Sequence, residues 1–244
     1  MSWSSAAEIA MAQEIQQSFE RKSKPTLYTV EYAVRSLSAR ALSGDYYDFL
    51  EIGAGRMAFV LADISGKGLP AALLMASLRA SILAQGPGAF NDLPQTLNRV
   101  HELFYESSPP GHFASLFFAD YNEAAGSLRY VNCGHVPPLL FRDDGEVEKL
   151  ESTAPLIGML KNWDGAVEEV ALRPGNVLVM FTDGVIDARN SAADDFGGDR
   201  LIQIVRNRLF LKPASLAETV IQAAQVFSGF RRQDDMTVVV VRVR

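Results

Sequence analysis

The sequence predicts an α+β fold: a four-layer α-β-β-α sandwich in which two packed, mainly antiparallel sheets are flanked by helix pairs. Three observations predict it. Strand-forming segments follow one another through tight turns, which suits antiparallel neighbours, because parallel ones need a crossover of about a dozen residues. With roughly nine such segments, two sheets packed face to face and covered outside by helices bury both apolar faces of each. The helical segments themselves arrive in two pairs, one for each outer layer. Strand order within the sheets does not follow from the sequence.

Taken in order, Ser4 to about Phe19 reads as a helix with Ala7, Met11, Ile15 and Phe19 in one stripe. Arg21 to Pro25 breaks it. This helix either packs on its own domain or serves as a dimerising stub of a longer coiled linker. Strand signals follow at Thr29–Ser36, Asp45–Ile52 and Arg56–Ile64, the last two joined by Gly53-Ala54-Gly55. Leu69–Gln85 is a helix apolar almost all round, and is expected to be largely buried; Gly86-Pro87-Gly88 stops it before a second helix at Leu93–Glu106. Strands resume at Phe113–Asp120, Leu128–Asn132 and Leu139–Arg142, where Asp143-Asp144-Gly145 is a favoured hairpin turn. Ala166–Leu172 and Val177–Thr182 are joined by Arg173-Pro174-Gly175-Asn176. Helices at Asp199–Leu209 and Ala214–Phe227 precede a closing strand, Met236–Arg244.

Composition narrows the function classes. A chain of 244 residues, 48% hydrophobic and 21% charged, can bury a sizeable core. Its formal charge of −6, without any dense Lys/Arg block, offers no general attraction for nucleic acid or an anionic membrane. Cys133 is the single cysteine, which excludes intrachain disulfides and thiolate metal clusters and suits a reducing cytoplasm. No apolar run approaches the ~18 residues that span a bilayer. The start, with Glu8, Glu14 and Glu20, does not read as a signal peptide.

Candidate chemistry gathers where strands end, at Gly44-Asp45-Tyr46-Tyr47-Asp48, Asp63-Ile64-Ser65-Gly66-Lys67-Gly68, Thr182-Asp183-Gly184 and Gln233-Asp234-Asp235-Met236. Carboxylates converging at the rim of a dry sheet repel one another unless a cation neutralises them, so four aspartates there make a hard-metal site. Oxygen donors without His or Cys favour Mg²⁺ or Mn²⁺ over Zn²⁺. Taken singly, each acid is ordinary turn or cap chemistry, and Ser65 reads as a cap for the helix near Leu69. Lys67 is followed by Gly68 rather than Ser or Thr, so the segment is not a phosphate-cradling P-loop.

The joint order is more specific than its parts. Those four motifs, with Asn132-Cys133-Gly134-His135 between the second and third and Thr237 after Met236, resemble the SpoIIE-like branch of the PPM family, metal-dependent phosphatases of the type 2C fold. The resemblance covers about Tyr28 to Arg244 and includes Phe113–Pro138 and the Pro155-Leu156-Ile157-Gly158 turn. It implies the same two-sheet sandwich, with residues 25–244 as the phosphatase domain and 1–24 as the N-terminal helical element. It also implies two divalent cations, Mn or Mg, held by Asp45, Asp63, the backbone carbonyl of Ile64, Asp183 and Asp234, with Asp45 or Asp63 bridging both. Asp48 and Asp235 are placed in supporting or auxiliary-metal roles. The implied reaction is direct hydrolysis of phosphoserine or phosphothreonine by water polarised between the ions. The implied partner is a phosphorylated STAS-type anti-anti-sigma protein in a partner-switching pathway, with homodimerisation through the N-terminal helix as a means of control.

The chain departs from the family pattern at three places. Type 2C enzymes often carry His where Ser65 stands, and serine is too weak an acid to protonate a leaving group. Cys133 replaces a small alanine and reads as a buried apolar residue. Val136 replaces the branch's usual asparagine. His135 is the alternative acid, against its reading as a strand-end histidine bonded to backbone; His101 and His112 read as structural. Arg35 and Arg40 could reach a substrate phosphate but read as solvated arginines, and stay outside the catalytic set. Three rival readings stand: a receiver module phosphorylated on Asp63, disfavoured by the antiparallel pattern; a degenerate phosphatase fold that binds a partner without turnover; and a hydrolase of small phosphoesters.

Overall fold

The computed structural model describes residues 5–19 and 27–244. Ser4, the break at Arg21–Pro25 and the expected domain boundary after residue 24 lie outside them. The elements run α1 (Ser5–Ser18), β1 (Val30–Leu37), β2 (Tyr46–Gly53), β3 (Arg56–Ile64), α2 (Leu69–Leu83), a 3₁₀ turn (Pro87–Asn91), α3 (Leu93–Ser107), β4 (Ala114–Asn122) and β5 (Ser127–Cys133). Then come β6 (Leu139–Phe141), β7 (Val147–Lys149), β8 (Glu168–Ala171), β9 (Val177–Phe181), α4 (Asp183–Ile186), α5 (Gly198–Arg206), α6 (Pro213–Phe227) and β10 (Met236–Val243).

Among the described residues ten strands form two five-stranded sheets, β1-β10-β9-β6-β7 and β2-β3-β4-β5-β8. Every pairing in both is antiparallel. The predicted four layers are therefore present. Between the sheets lie Phe49, Met57, Phe59, Leu61, Phe117, Leu178, Met180, Val239 and Val241. The outer face of the second sheet, with Leu50, Ala58, Val60 and Ile64, packs against Met75, Leu78 and Ile82 of α2 and Leu97 and Val100 of α3. The outer face of the first, with Val179, Phe181, Val238 and Val240, packs against α5 and α6 through Leu201, Val205, Leu216 and Val220. Both faces of β3 and β10 are covered, which is why these two read as continuous apolar runs rather than alternating ones. Met57, Phe59 and Leu61 are fully buried, each contributing roughly 1.5–3 kcal/mol of apolar transfer.

Three details differ from the sequence reading. β7 was not anticipated as a strand, although the Asp143-Asp144-Gly145 turn that makes it a hairpin partner of β6 was; the Arg142 amide donates to Glu146 O at 2.9 Å across that turn. α2 is not buried all round: Leu69 and Leu73 remain 52% and 65% exposed, because only the turns carrying Ala71, Met75, Leu78 and Ile82 face the sheet. α1 keeps most of its apolar stripe exposed, and the segment docks through glutamines and through Phe19, which packs against the core. Gln16 clasps Ser43, its Nε2 donating to the carbonyl at 2.8 Å and its Oε1 accepting from the amide at 3.0 Å, while Gln13 Nε2 donates to Ala41 O. Phe19 sits under the Arg79 guanidinium, and Met11 and Ile15 stay exposed.

Candidate metal centre

Antiparallel registry decides which strand ends share a rim. In one sheet Leu37 of β1 pairs with Met236 and Phe181 of β9 with Val238, so the end of β1, the start of β10 and the end of β9 lie together. In the other, Tyr46 pairs with Ala62 and Ile64 with Ala114, which puts the start of β2, the end of β3 and the start of β4 at one end. Asp45, Asp63, Asp183 and Asp234 each stand at or just beyond one of these ends. Hydrogen bonds join the two rims: Asp45 Oδ2, from the second sheet, accepts from Thr182 Oγ1 at 2.9 Å and Thr237 Oγ1 at 2.6 Å, both from the first. Thr182 Oγ1 also accepts from the Thr237 amide at 2.9 Å, which leaves the Thr182 proton for Asp45.

The acids form one electrostatic unit. Burial, then the charge of Asp63, holds the Asp45 carboxyl well above the usual carboxylate range, while its two threonine bonds pull the other way. Burial, then Asp183, Asp234 and Asp235, pushes Asp63 up to about 7. Burial, Asp234 and Asp187 raise Asp183. A Cβ built on Gly44 would lie 3.4 Å from Ile64 O and 3.8 Å from Asp63 Oδ1, so the predicted carbonyl donor and its neighbouring carboxylate face one spot. Carboxylates and a carbonyl without His or Cys are a hard-oxygen donor set, and their raised proton affinity is that of buried anions whose mutual repulsion Lys67 only partly offsets. The set fits Mg²⁺ or Mn²⁺.

It is a basin rather than a closed cage. Among the described residues no three His, Cys, Asp or Glu side chains are arranged to hold an ion as they stand. Asp45 Oδ2 is occupied by its threonines, and Asp234 Oδ2 by Lys67, whose Nζ lies 2.5 Å away and also donates to Gln233 O at 2.9 Å. Beside the acids opens a cleft of about 330 Å³, walled by Gln16 of α1, Phe19 just after it, Arg40, Asp45, Met75 and Arg232.

The other residues singled out in the sequence have definite places. Asp235 accepts from Ala39 N (2.6 Å), Ser43 Oγ (2.8 Å) and Gly44 N (2.7 Å), anchoring the loop that delivers Asp45. Asp48 accepts from the Tyr46 hydroxyl and the Phe49 amide. It alternates along β2 with Phe49 of the inter-sheet core, so it faces the helix layer with Tyr46 and Leu50. Ser65 does not cap α2; its Oγ accepts from Phe113 N at 2.9 Å, and Gly68 occupies the cap position. His135 is buried, donating from Nε2 to Phe181 O at 3.1 Å and accepting at Nδ1 from Ser115 Oγ at 2.8 Å. Burial lowers it to about 4, so it is a neutral strut between the sheets and not an acid. Cys133 is buried and its thiol is raised by desolvation, as an inert packing residue requires. Arg35 pairs with Glu218 of α6 at 2.7 Å. Arg40 instead packs against Gly68, with Nη1 3.5 Å from the point where a Cβ there would sit, on the cleft wall. His101 accepts from the Gly158 amide and stacks on Trp163, and His112 lies in the adjoining loop.

Asp187 carries no assignment from the sequence, and Thr182, Thr237 and Lys67 appear there only as motif members, Lys67 with its P-loop role rejected. Asp187 had a signal: it follows Asp183 by four residues, one helical turn, and its carboxyl is raised by burial, Asp195 and Asp234. Gly184 of the Thr-Asp-Gly motif is explained by close approach, because a Cβ there would fall 2.0 Å from Asp235 O.

Comparison with known proteins agrees with this architecture. The family model for stage II sporulation protein E (SpoIIE) matches residues 53–244. Protein IcfG of Synechocystis sp. is 28% identical over 260 residues, covering 96% of this chain and 41% of that protein. Phosphoserine phosphatase RsbU of Bacillus subtilis is 26% identical, covering 97% of this chain and 70% of that protein. The chain thus spans less than half of the first relative and about two thirds of the second. Among solved structures, the SiaA-PP2C domain of Pseudomonas aeruginosa superposes with a TM-score of 0.86 at 21% identity, over 97% of this chain and 96% of that one. The catalytic domain of the serine/threonine protein phosphatase PstP, in complex with two manganese ions, superposes at 0.65 and 18% identity, over 88% and 98%.

Proposed function

As the chain belongs to the SpoIIE family of type 2C-like phosphatases, we propose that it hydrolyses phosphoserine or phosphothreonine on a regulatory protein, using two divalent cations, Mn or Mg. Asp45, Asp63, Asp183, Asp234 and the Ile64 carbonyl are the proposed ligands. One observation carries the reading: acids from four strand ends in two sheets meet in one basin, where Asp63 raises the proton affinity of Asp45, Asp183 and Asp234 raise that of Asp63, and Asp234 raises that of Asp183. The likeness to phosphoserine phosphatase RsbU supports the substrate class, and the two manganese ions of PstP support the metal. Bound there, the cations supply charge neutralisation and a lowered pKa for water.

The chain's own groups do the positioning. Thr182 and Thr237 orient Asp45, Asp235 holds the loop before it, and Arg40 and Arg232 give the adjoining cleft a cationic wall suited to a phosphoryl group. Neither Ser65, tied to Phe113, nor neutral His135 can protonate a leaving oxygen, so slow turnover by the chain alone is part of the proposal. The proposed partner is a phosphorylated STAS-type anti-anti-sigma protein, as the SpoIIE resemblance implies. For the helical element before the phosphatase domain at residues 25–244, the proposed role is homodimerisation through the exposed Met11 and Ile15. Light scattering that gives the same monomer mass with and without residues 1–19 removes that role.

Manganese-dependent release of phosphate from a phosphoserine peptide tests the enzyme reading, with Asp45→Asn and Asp183→Asn as controls expected to lose about a hundredfold or more in rate. Unchanged rates in both variants overturn the ligand assignment. Tight Mn²⁺ binding without any phosphate release favours a partner-binding module instead. No helix among the described residues is long and apolar enough to cross a membrane.

A further inference from the structure

We propose that Lys67 is a tethered counter-ion: its ammonium occupies the cation position at Asp234 and must be displaced by an incoming divalent ion, so that this side chain sets how tightly that ion binds. The inference rests on the metal-dependent reading above and adds to it a competitor built into the chain.

The geometry carries it. Lys67 extends from the loop after β3 and reaches across to the segment before β10, where Nζ lies 2.5 Å from Asp234 Oδ2 and 2.9 Å from Gln233 O. Asp234 is the proposed metal ligand that an ammonium already holds, whereas Asp45 is held only by neutral hydroxyls. The remaining acids of the basin, Asp63 and Asp183, feel the same positive charge. An ammonium is a compact point charge with three donors, able to stand where a small cation stands but carrying half of a divalent ion's charge. A Mg²⁺ or Mn²⁺ ion therefore outcompetes it among several carboxylates.

The contact is also built to open. Lys67 lies between Gly66 at φ 99° and Gly68 at φ 73°, and an added Cβ at Gly66 would meet nothing within 4 Å. Such a segment reorients without disturbing the core. Both partners are about two-fifths exposed, at 41% and 40%, and an ion pair of that kind is weak enough to exchange. A buried pair would lock the site, and no pair at all would leave Asp234 to repel its neighbours.

Mn²⁺ titration followed by electron paramagnetic resonance of the free ion tests this at low salt on the whole chain. Lys67→Gln is expected to bind its weaker Mn²⁺ about fivefold more tightly than the native protein. Lys67→Arg, which can hold Asp234 in the same way, stays within about twofold, and so does Arg35→Gln, which removes a charge paired with Glu218 of α6. The Lys67→Gln gain fades toward molar salt. Native binding of Mn²⁺ with no gain in Lys67→Gln, or an equal gain in Arg35→Gln, overturns the counter-ion role and leaves the proposed function standing. Absence of Mn²⁺ binding in the native protein overturns the function, and this inference with it.

Discussion

Replacing Asp63 by Asn removes a proposed metal ligand and should nevertheless make the metal-free protein more stable. The Asp63 carboxyl is pushed from 3.8 up to about 7 by burial and by Asp183, Asp234 and Asp235. Between those two values the folded chain binds more protons than the unfolded one, so stability falls as pH rises through the window and the full penalty stands above pH 7. At ~1.4 kcal/mol for each pH unit, the penalty is about 4 kcal/mol at most, and water at the partly open rim screens it to roughly 1–3 kcal/mol. Asp63→Asn escapes it, because the amide is neutral. Calorimetry in chelator at pH 8 should show its Tm raised by about 3–10 °C for a domain of this size. The gain should shrink steadily as the pH is lowered toward 4. Saturating Mn²⁺ should invert the order, since ligand binding stabilises only the chain that keeps the site. A variant less stable than the native protein at pH 8 in chelator, or a gain independent of pH, refutes the idea that uncompensated charge strains this basin.

Thr237→Val deletes the 2.6 Å bond to Asp45 and should cost about 1–2 kcal/mol in denaturant unfolding and weaken Mn²⁺ binding, with Thr237→Ser restoring both. His135→Ala removes the link between Ser115 and Phe181 and should destabilise by roughly 2–4 kcal/mol. The native pH–rate profile should show no inflection from this residue between pH 6 and 8, because His135 is held down to about 4. Gly184→Ala drives a methyl to 2.0 Å from Asp235 O and should cost about 3 kcal/mol or more, read as a lowered unfolding midpoint and lost Mn²⁺ affinity.

The layers were legible because β3 and β10 announce burial on both faces, and because Gly53-Ala54-Gly55 and Asp143-Asp144-Gly145 announce antiparallel turns. The short edge strands were less so: β8 keeps four of the seven residues expected, and β7 has three residues of weak strand character. How α1 docks was open in the sequence. Of its stripe of Ala7, Met11, Ile15 and Phe19, Phe19 packs against the core while Met11 and Ile15 stay exposed, and glutamine bonds to the Ala41–Ser43 loop add the rest, side-chain amides that leave no periodic trace. The aspartates were readable since an acid beside an apolar strand is costly without a purpose. Thr182, Thr237 and Lys67 were not, because a hydroxyl or an ammonium acquires meaning only from a partner across the fold, 137 and 192 residues away for the two threonines and Asp45.

The pairing of β1 with β10 has a consequence for biosynthesis. Val30 sits opposite Val243 and Leu37 opposite Met236, so the second strand position of the first sheet is filled by a segment translated some two hundred residues after its neighbour. Asp234 and Asp235 arrive on that same late segment, and Thr237 with them. A ribosome-bound chain that has emitted everything up to α6 holds an open sheet edge at β9 and a basin lacking its last wall. The basin therefore gains Asp234, Asp235 and Thr237 only when this last segment pairs with β1 and β9.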